Sequence, residues 1–358
     1  MQHQPLLRPL AALSLLACAC AAHAQSSITL YGVADASLRY TSGLDAANAA
    51  SAGTAAAVSS GVNTTSRFGF RGSEDLGGGL RAVFNLESGV NIDTGASANT
   101  SKLFDRAAYV GVQTDAATLT LGRQTTVLAD VVGQIDPLGS RFASFNPNVS
   151  IAGLSAHRLG IEYGPSGAST GAYRLDNSAK AVGRVGDFSL RAMHAFGEQA
   201  GSHGKLSSSG LGLGYQSGDY SAALGYTQFK SATDLELKAY LGGISAKLGS
   251  GKLSLSYGSS HADTSTTAQT RNKTLGLGGS LPLGDSLDLV LAHYRVSRSR
   301  TALADDGFQR SVAFLEYKLS KRSRVYTELD RSHWKAGYQL AAAKRNATGL
   351  SAGLVHTF

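Results

Sequence analysis

Residues 27–358 repeat one unit, in which two segments of about ten residues with alternating apolar and polar side chains are joined by a short polar turn. Alternation with a period of two predicts β-strands that have one apolar face. In the first segment the apolar face carries Leu30 and Leu38, and the polar face carries Asp35 and Arg39. Seven such hairpins, with one further strand at each end, predict sixteen strands.

The connections between these segments alternate between short and long. The seven short turns occupy residues 73–79, 114–116, 185–187, 217–219, 249–251, 283–285 and 320–322. The eight long connections occupy residues 41–65, 89–103, 125–173, 197–208, 230–236, 259–272, 298–309 and 333–346. In bacterial outer-membrane barrels the short turns face the periplasm and the long loops face outside. The pattern therefore predicts that both termini are periplasmic.

Two folds accommodate a long series of amphipathic strands. A soluble sandwich alternates in the same way, but its sheet edges need protection, and the sequence offers few prolines and no long helical pattern for that purpose. A membrane barrel has no edges, because its first and last strands pair with each other. Beyond the N-terminus, no apolar run is long enough for a membrane helix. The sequence therefore predicts an all-β fold, a sixteen-stranded antiparallel transmembrane β-barrel.

The N-terminus has the pattern of a secretory signal peptide. Arg8 precedes an apolar stretch at residues 10–22, and Ala24 ends a cleavage site formed by small residues. We expect residues 1–24 to be a cleaved signal peptide and residues 25–358 to be a single barrel domain. Both cysteines lie in this leader, so a mature chain without them can form no disulfide. Lipidation at Cys18 is the alternative reading of the same stretch.

The charge balance narrows the possible functions. The leader contains one basic residue and no acidic residue, so the net charge changes from +8 to +7 on cleavage. Such an excess fits nucleic-acid binding in a cytosolic protein, but in an exported barrel it favours an aqueous pore that prefers anions. An enzymatic barrel would need a histidine beside an acid at its outer rim. Only His261 near Asp263 and His333 near Asp330 form such a pair in the sequence. We therefore expect that the protein is not an enzyme.

The connection at residues 125–173 is much longer than the others, and such loops are commonly functional. It contains apolar residues suited to packing, and Thr126–Gln134 is predicted to form a short helix that Asp136 and Pro137 end. Folded into a wide barrel, this loop would narrow the lumen. An apolar external plug, or a contact between subunits, is the alternative.

Six stretches of the chain resemble the trimeric Gram-negative porins of the Neisseria and Burkholderia type. These stretches are SSITLYG at 26–32, SRFGFRGSEDLG at 66–77, AYVGV at 108–112, LTLGRQ at 119–124, IDPLG at 135–139 and GLVHTF at 353–358. The resemblance extends over the whole mature chain. It implies a sixteen-stranded barrel in a homotrimer, with the third external loop folded inward to form the constriction of the pore.

The resemblance also implies which side chains line the constriction. The basic wall is assigned to Arg39, Arg67, Arg123 and Arg174, and the acids on the loop to Asp130 and Asp136. Parity places Arg39 and Arg67 on the polar faces of their strands. Strict alternation would place Arg123 on the apolar face, so we predict that a β-bulge, or the end of ladder pairing, turns it inward.

The function expected from these features is passive diffusion of small hydrophilic solutes and ions through a water-filled channel, with a weak anion preference. A channel selective for a sugar, organic acid or aromatic compound is the alternative, and a non-conducting adhesin or enzyme is a further one. The implied partners are a second and third copy of the chain, outer-membrane lipid and lipopolysaccharide, the solutes, and the barrel-assembly machinery through the C-terminal Phe358. We expect no cofactor, no metal and no nucleic-acid partner.

Overall fold

The alternating segments form the strands of one sheet in the computed structural model, which describes residues 27–45, 48–139, 141, 146–147, 174–339 and 343–358. The strands are β1 Ser27–Leu44, β2 Ala50–Ser60, β3 Arg67–Gly77, β4 Leu80–Gly89, β5 Ala107–Gln113, β6 Ala117–Thr125, β7 Arg174–Val185, β8 Phe188–Ala195, β9 Ser208–Ser217, β10 Tyr220–Lys230, β11 Glu236–Leu248, β12 Gly251–Asp263, β13 Gln269–Pro282, β14 Leu287–Arg300, β15 Leu303–Lys318, β16 Ser323–Lys335 and β17 Asn346–Thr357. A helix, α1, spans Val127–Ile135. No helix within the described residues is long and apolar enough to cross a bilayer.

The sheet closes into an antiparallel barrel. From β3 onward each strand pairs with the next, and β17 pairs back with β1, where Val33 faces Thr357. Strands β2 and β3 both pair with β1, β2 along its second half and β3 along its first seven residues. They are therefore one barrel strand, interrupted at residues 61–66. The barrel has sixteen strands, as the sequence predicted.

The strands meet at the seven predicted short turns, all of which are confirmed. The first long connection is shorter than predicted, because β1 continues to Leu44 and β2 begins at Ala50 within the predicted loop at 41–65. Likewise only residues 264–268 separate β12 from β13, and residues 301–302 separate β14 from β15. These three hairpins extend the strands beyond the predicted ends. Their added residues are mostly serine, alanine and charged residues, so they lack the alternation of apolar and polar side chains that identifies a strand in lipid.

Exposure follows the parity of the strands. On β1, Leu30 and Leu38 are 56% and 70% exposed, whereas Asp35 and Arg39, which have the opposite parity, are buried. An apolar side chain that stays exposed on a closed barrel faces lipid, and the buried polar set faces the lumen. This outward apolar, inward polar arrangement is the one that the alternation predicted.

Helix α1 begins at the N-cap Thr126, whose hydroxyl accepts a hydrogen bond from the amide of Ala129 at 3.1 Å. It ends at Asp136, so the predicted short helix is confirmed. Its buried apolar side chains are Val127, Leu128, Val131, Val132 and Ile135. Phe142, Phe145 and residues 149–172, which belong to the same long connection, lie outside the described residues.

Helix α1 contacts β8–β12, and glycines on these strands leave room for it. A Cβ atom on Gly212 would lie 2.5 Å from Cγ1 of Val127, and one on Gly243 would lie 2.7 Å from Cδ1 of Ile135. The neighbour of each glycine along the strand points the other way and is exposed, as Ile244 is at 58%. Helix α1 therefore packs on the face of these strands that is opposite to the exposed apolar side chains.

Candidate functional site

A polar cavity of about 690 Å³ lies along the inner face of β1 and β3–β6. The name open wall is used here for four of its lining residues, Tyr31, Arg67, Arg71 and Glu87. Glu87 accepts a hydrogen bond from the hydroxyl of Tyr31 at 3.0 Å and lies 3.3 Å from Nε of Arg67. It also binds Nε of Arg106 at 2.6 Å. One acid thus serves two cations, so the open wall keeps a positive balance.

Arg71 is the least compensated cation of the open wall. Its guanidinium lies 5.0 Å from the centroid of the Tyr31 ring, which is a cation–π contact. Within the described part of the chain it forms no salt bridge. Arg71 was not predicted from the sequence as a pore residue, although it shares the parity of Arg67 on β3. Counting every inward-facing cation, instead of one for each strand, would have found it.

Arg39 stands in a second and different environment, named the sealed cluster and composed of Arg39, Glu328, Asp330 and Ser351. Its two terminal nitrogens bind Glu328 at 2.8 Å and Asp330 at 2.6 Å, and the first also donates to the hydroxyl of Ser351. Both acids are fully buried, and the Arg39 side chain is 2% exposed. The charge of Arg39 is therefore neutralised by two carboxylates and shielded from water.

Arg123 lies at an irregularity in the ladder between β6 and β7. The register between β6 and β7 shifts between Gly122 and Gln124, and Gly122 has a φ of +126°, a conformation that favours glycine. The side chain of Arg123 then reaches Asp176 on β7 at 2.6 Å and the carbonyl of Asp105 at 2.6 Å. Asp176 also binds Nζ of Lys102 at 2.6 Å, so it too serves two cations.

Arg174 is the first residue of β7, pairs with Thr125 of β6, and is 8% exposed. Three of the four predicted arginines have their acidic partners on different strands. The acids that bind Arg39 lie on β16, the acid beside Arg67 lies on β4, and the acid that binds Arg123 lies on β7.

Asp130 of helix α1 faces cations of the barrel wall. Its carboxylate lies 2.5 Å from Nζ of Lys180 on β7 and 3.7 Å from Nε of Arg191 on β8. It accepts a further hydrogen bond from the hydroxyl of Thr125 at 2.9 Å. Lys180 and Arg191 were not predicted from the sequence, because the sequence does not show that helix α1 lies against β7 and β8.

Asp136 is 2% exposed and is enclosed by hydrogen-bond donors. Its carboxylate accepts from the hydroxyl of Tyr294 on β14 at 3.0 Å, from the side-chain amide of Asn146 at 2.9 Å, and from the backbone amide of Leu138 at 2.8 Å. Asp130 and Asp136 therefore differ. Asp130 is only partly buried, whereas Asp136 ties the end of α1 to the opposite part of the barrel.

The interruption at residues 61–66 also turns to the inside of the barrel. The Asp35 carboxylate accepts hydrogen bonds from the backbone amides of Asn63 at 2.8 Å and Thr64 at 2.7 Å, and from the hydroxyl of Tyr326 at 2.8 Å. The side-chain amide of Asn63 donates to Glu316 on β15 at 2.5 Å. Glu316 also binds Arg141, beyond the end of α1. Two inward segments thus meet at one acid.

The two histidine–acid pairs that were considered for catalysis, His261 with Asp263 and His333 with Asp330, do not form a catalytic arrangement. His261 and Asp263 lie 4.0 Å apart, and both side chains are more than a third exposed. Nδ1 of His333 lies 2.7 Å from the amide oxygen of Asn346, while Asp330 belongs to the sealed cluster.

The comparisons with known proteins agree with this architecture. The family model described as Gram-negative porin matches residues 10–337. An outer membrane porin protein of Bordetella pertussis is 33% identical over 246 residues, which is 63% of this chain but only 60% of that protein. Outer membrane porin protein 32 of Delftia acidovorans is 28% identical over 98% of this chain and 99% of its own length.

Among solved structures, the one described as an anion-selective porin from Comamonas acidovorans superposes with a TM-score of 0.76 at 24% identity. That match covers 93% of this chain and all of the other. The fold is thus shared along nearly the whole barrel. The family match, the named relatives and the closed barrel lead to one conclusion: this chain belongs to the Gram-negative porin family and is an outer-membrane porin.

Proposed function

We propose that this porin is a passive channel for small hydrophilic solutes and ions, with a weak preference for anions. The observation that carries the proposal is the open wall, where Arg71 faces a polar cavity without an acidic partner among the described residues. A cation in a narrow, water-filled passage raises the local concentration of anions. The buried cation of the sealed cluster contributes little to this preference, because two acids neutralise it.

We propose that the loop carrying α1 narrows the lumen. The support is its packing against the inward glycines of β9–β11 and the bonds of its end to β14 and β15. In this arrangement Asp130 is the acid that faces the water-filled passage, opposite the basic wall. Arg67, Arg123 and Arg174 are proposed to belong to that wall, and Asp136 to hold the loop in place.

We further propose that the chain is exported by cleavage after Ala24, that its termini are periplasmic, and that it assembles as a homotrimer. Phe358 lies at the seam of the barrel, where its backbone exchanges two hydrogen bonds of 3.1 Å with Gly32. Its side chain is 44% exposed. This exposure supports a role for Phe358 in recognition by the assembly machinery.

Planar bilayer recordings of the purified protein test the proposal. We expect three equal conductance steps, and a reversal potential in a salt gradient that favours anions. Arg71→Ala should shift that potential toward cations, whereas Arg71→Lys should preserve it because the charge remains. A silent protein would contradict the channel. An unchanged potential in Arg71→Ala would show that the open wall does not set selectivity, and saturable block by one solute would favour a substrate-selective channel.

A further inference from the structure

Residues 61–66, named the inner segment here, interrupt the barrel strand formed by β2 and β3. The ladder of β2 with β1 stops at Ala36, and the ladder of β3 with β1 resumes at Val33, so six residues lie opposite two. The chain leaves β2 at Gly61, whose φ of 71° favours glycine, and the amide of Gly61 donates to the carbonyl of Asp35 at 3.0 Å. The insertion is thus longer than a β-bulge, which adds one residue.

The inner segment is fixed to the inner face of β1. The carboxylate of Asp35 accepts hydrogen bonds from two of its backbone amides. The hydroxyl of Ser66 accepts from the amide of Asp35 at 3.0 Å and donates to the carbonyl of Asp35 at 3.1 Å. Val62 and Asn63 are buried, with 4% and 0% of their surface exposed. The inner segment is therefore an ordered part of the inner wall and not a surface loop.

Asn63 and the third long connection share one acceptor. The side-chain amide of Asn63 donates to Oε1 of Glu316 at 2.5 Å, and Nη1 of Arg141 binds the same oxygen. The amide oxygen of Asn63 accepts from Nη2 of Arg324 at 2.9 Å, and Nε of Arg324 lies 4.0 Å from Glu316. Glu316 is only 5% exposed. One buried carboxylate thus joins the inner segment to the chain beyond α1.

Apolar packing accompanies these polar contacts. Val62 of the inner segment and Leu138 of the third long connection belong to one buried cluster, together with Phe314 and Tyr326. The guanidinium of Arg141 lies 5.8 Å from the centroid of the Phe314 ring. Hydrogen bonds to a charged group are stronger than those between neutral groups and have a defined direction. The contacts therefore set the distance between the loop and the wall, besides adding stability.

We propose that the inner segment is a positioning element of the pore, in which Asn63 acts through Glu316 on Arg141 to hold the third long connection against β15. The contact of Asp136 with Tyr294 anchors the end of α1 at β14. Glu316 provides a second anchor farther along the chain. Two anchors fix the orientation of the loop, whereas one would allow it to pivot. This inference rests on the proposed function, in which the loop narrows the lumen.

Swelling of liposomes that contain the protein, in solutions of neutral sugars, tests the positioning role, because uncharged solutes report the width of the passage and not its charge. The measured ratio is the rate for a disaccharide divided by the rate for a monosaccharide. Asn63→Ala and Arg141→Ala should each raise this ratio by about threefold, through the loss of one contact of a coupled network. The double variant should raise it no further, because both residues act through Glu316. Arg141→Lys should keep the wild-type ratio, since the charge remains.

Two controls are matched to these variants. Thr65→Ala changes the inner segment at a side chain that forms no hydrogen bond with another described residue. Asp288→Asn removes an acid that faces Glu316 across β14 and β15 and that binds Lys318 but no described residue of the third long connection. Both should keep the wild-type ratio. A lower unfolding midpoint of Asn63→Ala with an unchanged ratio would show a role in stability alone and would overturn the positioning role.

Tyr294→Phe separates a failure of the positioning role from a failure of the proposed function. A raised ratio in Tyr294→Phe but not in Asn63→Ala would show that the loop narrows the passage without the inner segment, which overturns the positioning role. Additive effects of Asn63→Ala and Arg141→Ala would overturn the coupling through Glu316. A wild-type protein that admits no sugar would contradict the channel, and the positioning role with it. Asn63→Gln, which displaces the amide by one methylene, should also raise the ratio and serves as the test if Asn63→Ala does not fold.

Discussion

The open wall and the sealed cluster both place arginine on the inner face of the barrel, yet they use its charge differently. In the open wall, Glu87 is shared between Arg67 and Arg106, and Arg71 rests on the ring of Tyr31 beside a polar cavity. In the sealed cluster, Arg39 is held by two fully buried acids. We infer from this difference that an inward arginine influences permeating ions only where two conditions hold. Water must reach the guanidinium, and neighbouring carboxylates must not neutralise its charge.

The largest expected effect is loss of stability in Arg39→Ala. Removal of this arginine leaves Glu328 and Asp330 buried without their cation, which typically costs about 3–5 kcal/mol. We expect the variant to unfold at a lower guanidinium concentration, as monitored by the loss of the β-sheet signal in circular dichroism. Ion selectivity should change little. Arg39→Ala combined with Glu328→Gln and Asp330→Asn should recover part of the stability. A large change in selectivity with normal stability would break the comparison.

A smaller loss is expected for Tyr294→Phe, which extends the comparison to the third long loop. The substitution removes a hydroxyl that donates to the buried carboxylate of Asp136, and hydrogen bonds to charged groups are worth about 1.5–3 kcal/mol. Unfolding should begin at a lower denaturant concentration, and single-channel current should become noisier as the loop loses an anchor. Tyr317→Phe is the matched control, since this tyrosine is half-exposed on the outward face of β15. Equal effects of both variants would contradict an anchoring role for Asp136.

The smallest expected change in free energy comes from Glu87→Gln. This substitution should act directly on ion selectivity. The neutral amide keeps the shape of the side chain but leaves Arg67 and Arg106 without their shared acid. The anion-to-cation permeability ratio should rise by about two- to threefold, which corresponds to less than ~1 kcal/mol. Reversal potentials in a salt gradient measure this ratio. Asp115→Asn, which removes an exposed partner of Arg81 at a short turn, is the control and should leave the ratio unchanged.

Much of the fold follows from the sequence because strand parity is a local property. The side on which Arg39 and Arg67 lie depends only on their immediate neighbours, and the irregularity at Arg123 follows from the conflict between its charge and its parity. The short turns were predictable for the same reason. The first long loop was overestimated, since β2 carries serine and alanine in place of an apolar face.

The partners of the charged residues could not be predicted in the same way. Arg39 and Asp330 are 291 positions apart in the chain, and only the closure of the barrel brings them together. Asp136 was expected to face the passage, a role that remains a proposal, and its contact with Tyr294 spans 158 positions. Strand parity predicts which face of the sheet a side chain lies on. It does not predict which residue from a distant strand lies within contact distance of that side chain. The pairing of charges therefore had to come from the structure.

The seam between β1 and β17 has a consequence for the order of folding. It joins the first strand to the last, so the chain must close a loop of nearly its full length before the ladder can form. Contacts of such high sequence separation form slowly, and until then two unpaired edges stay open to other chains. Phe358 completes that ladder by its two backbone hydrogen bonds to Gly32. Closure is thus a step that needs both β1 and β17, and a chain that lacks β17 keeps an unpaired edge that other chains can join.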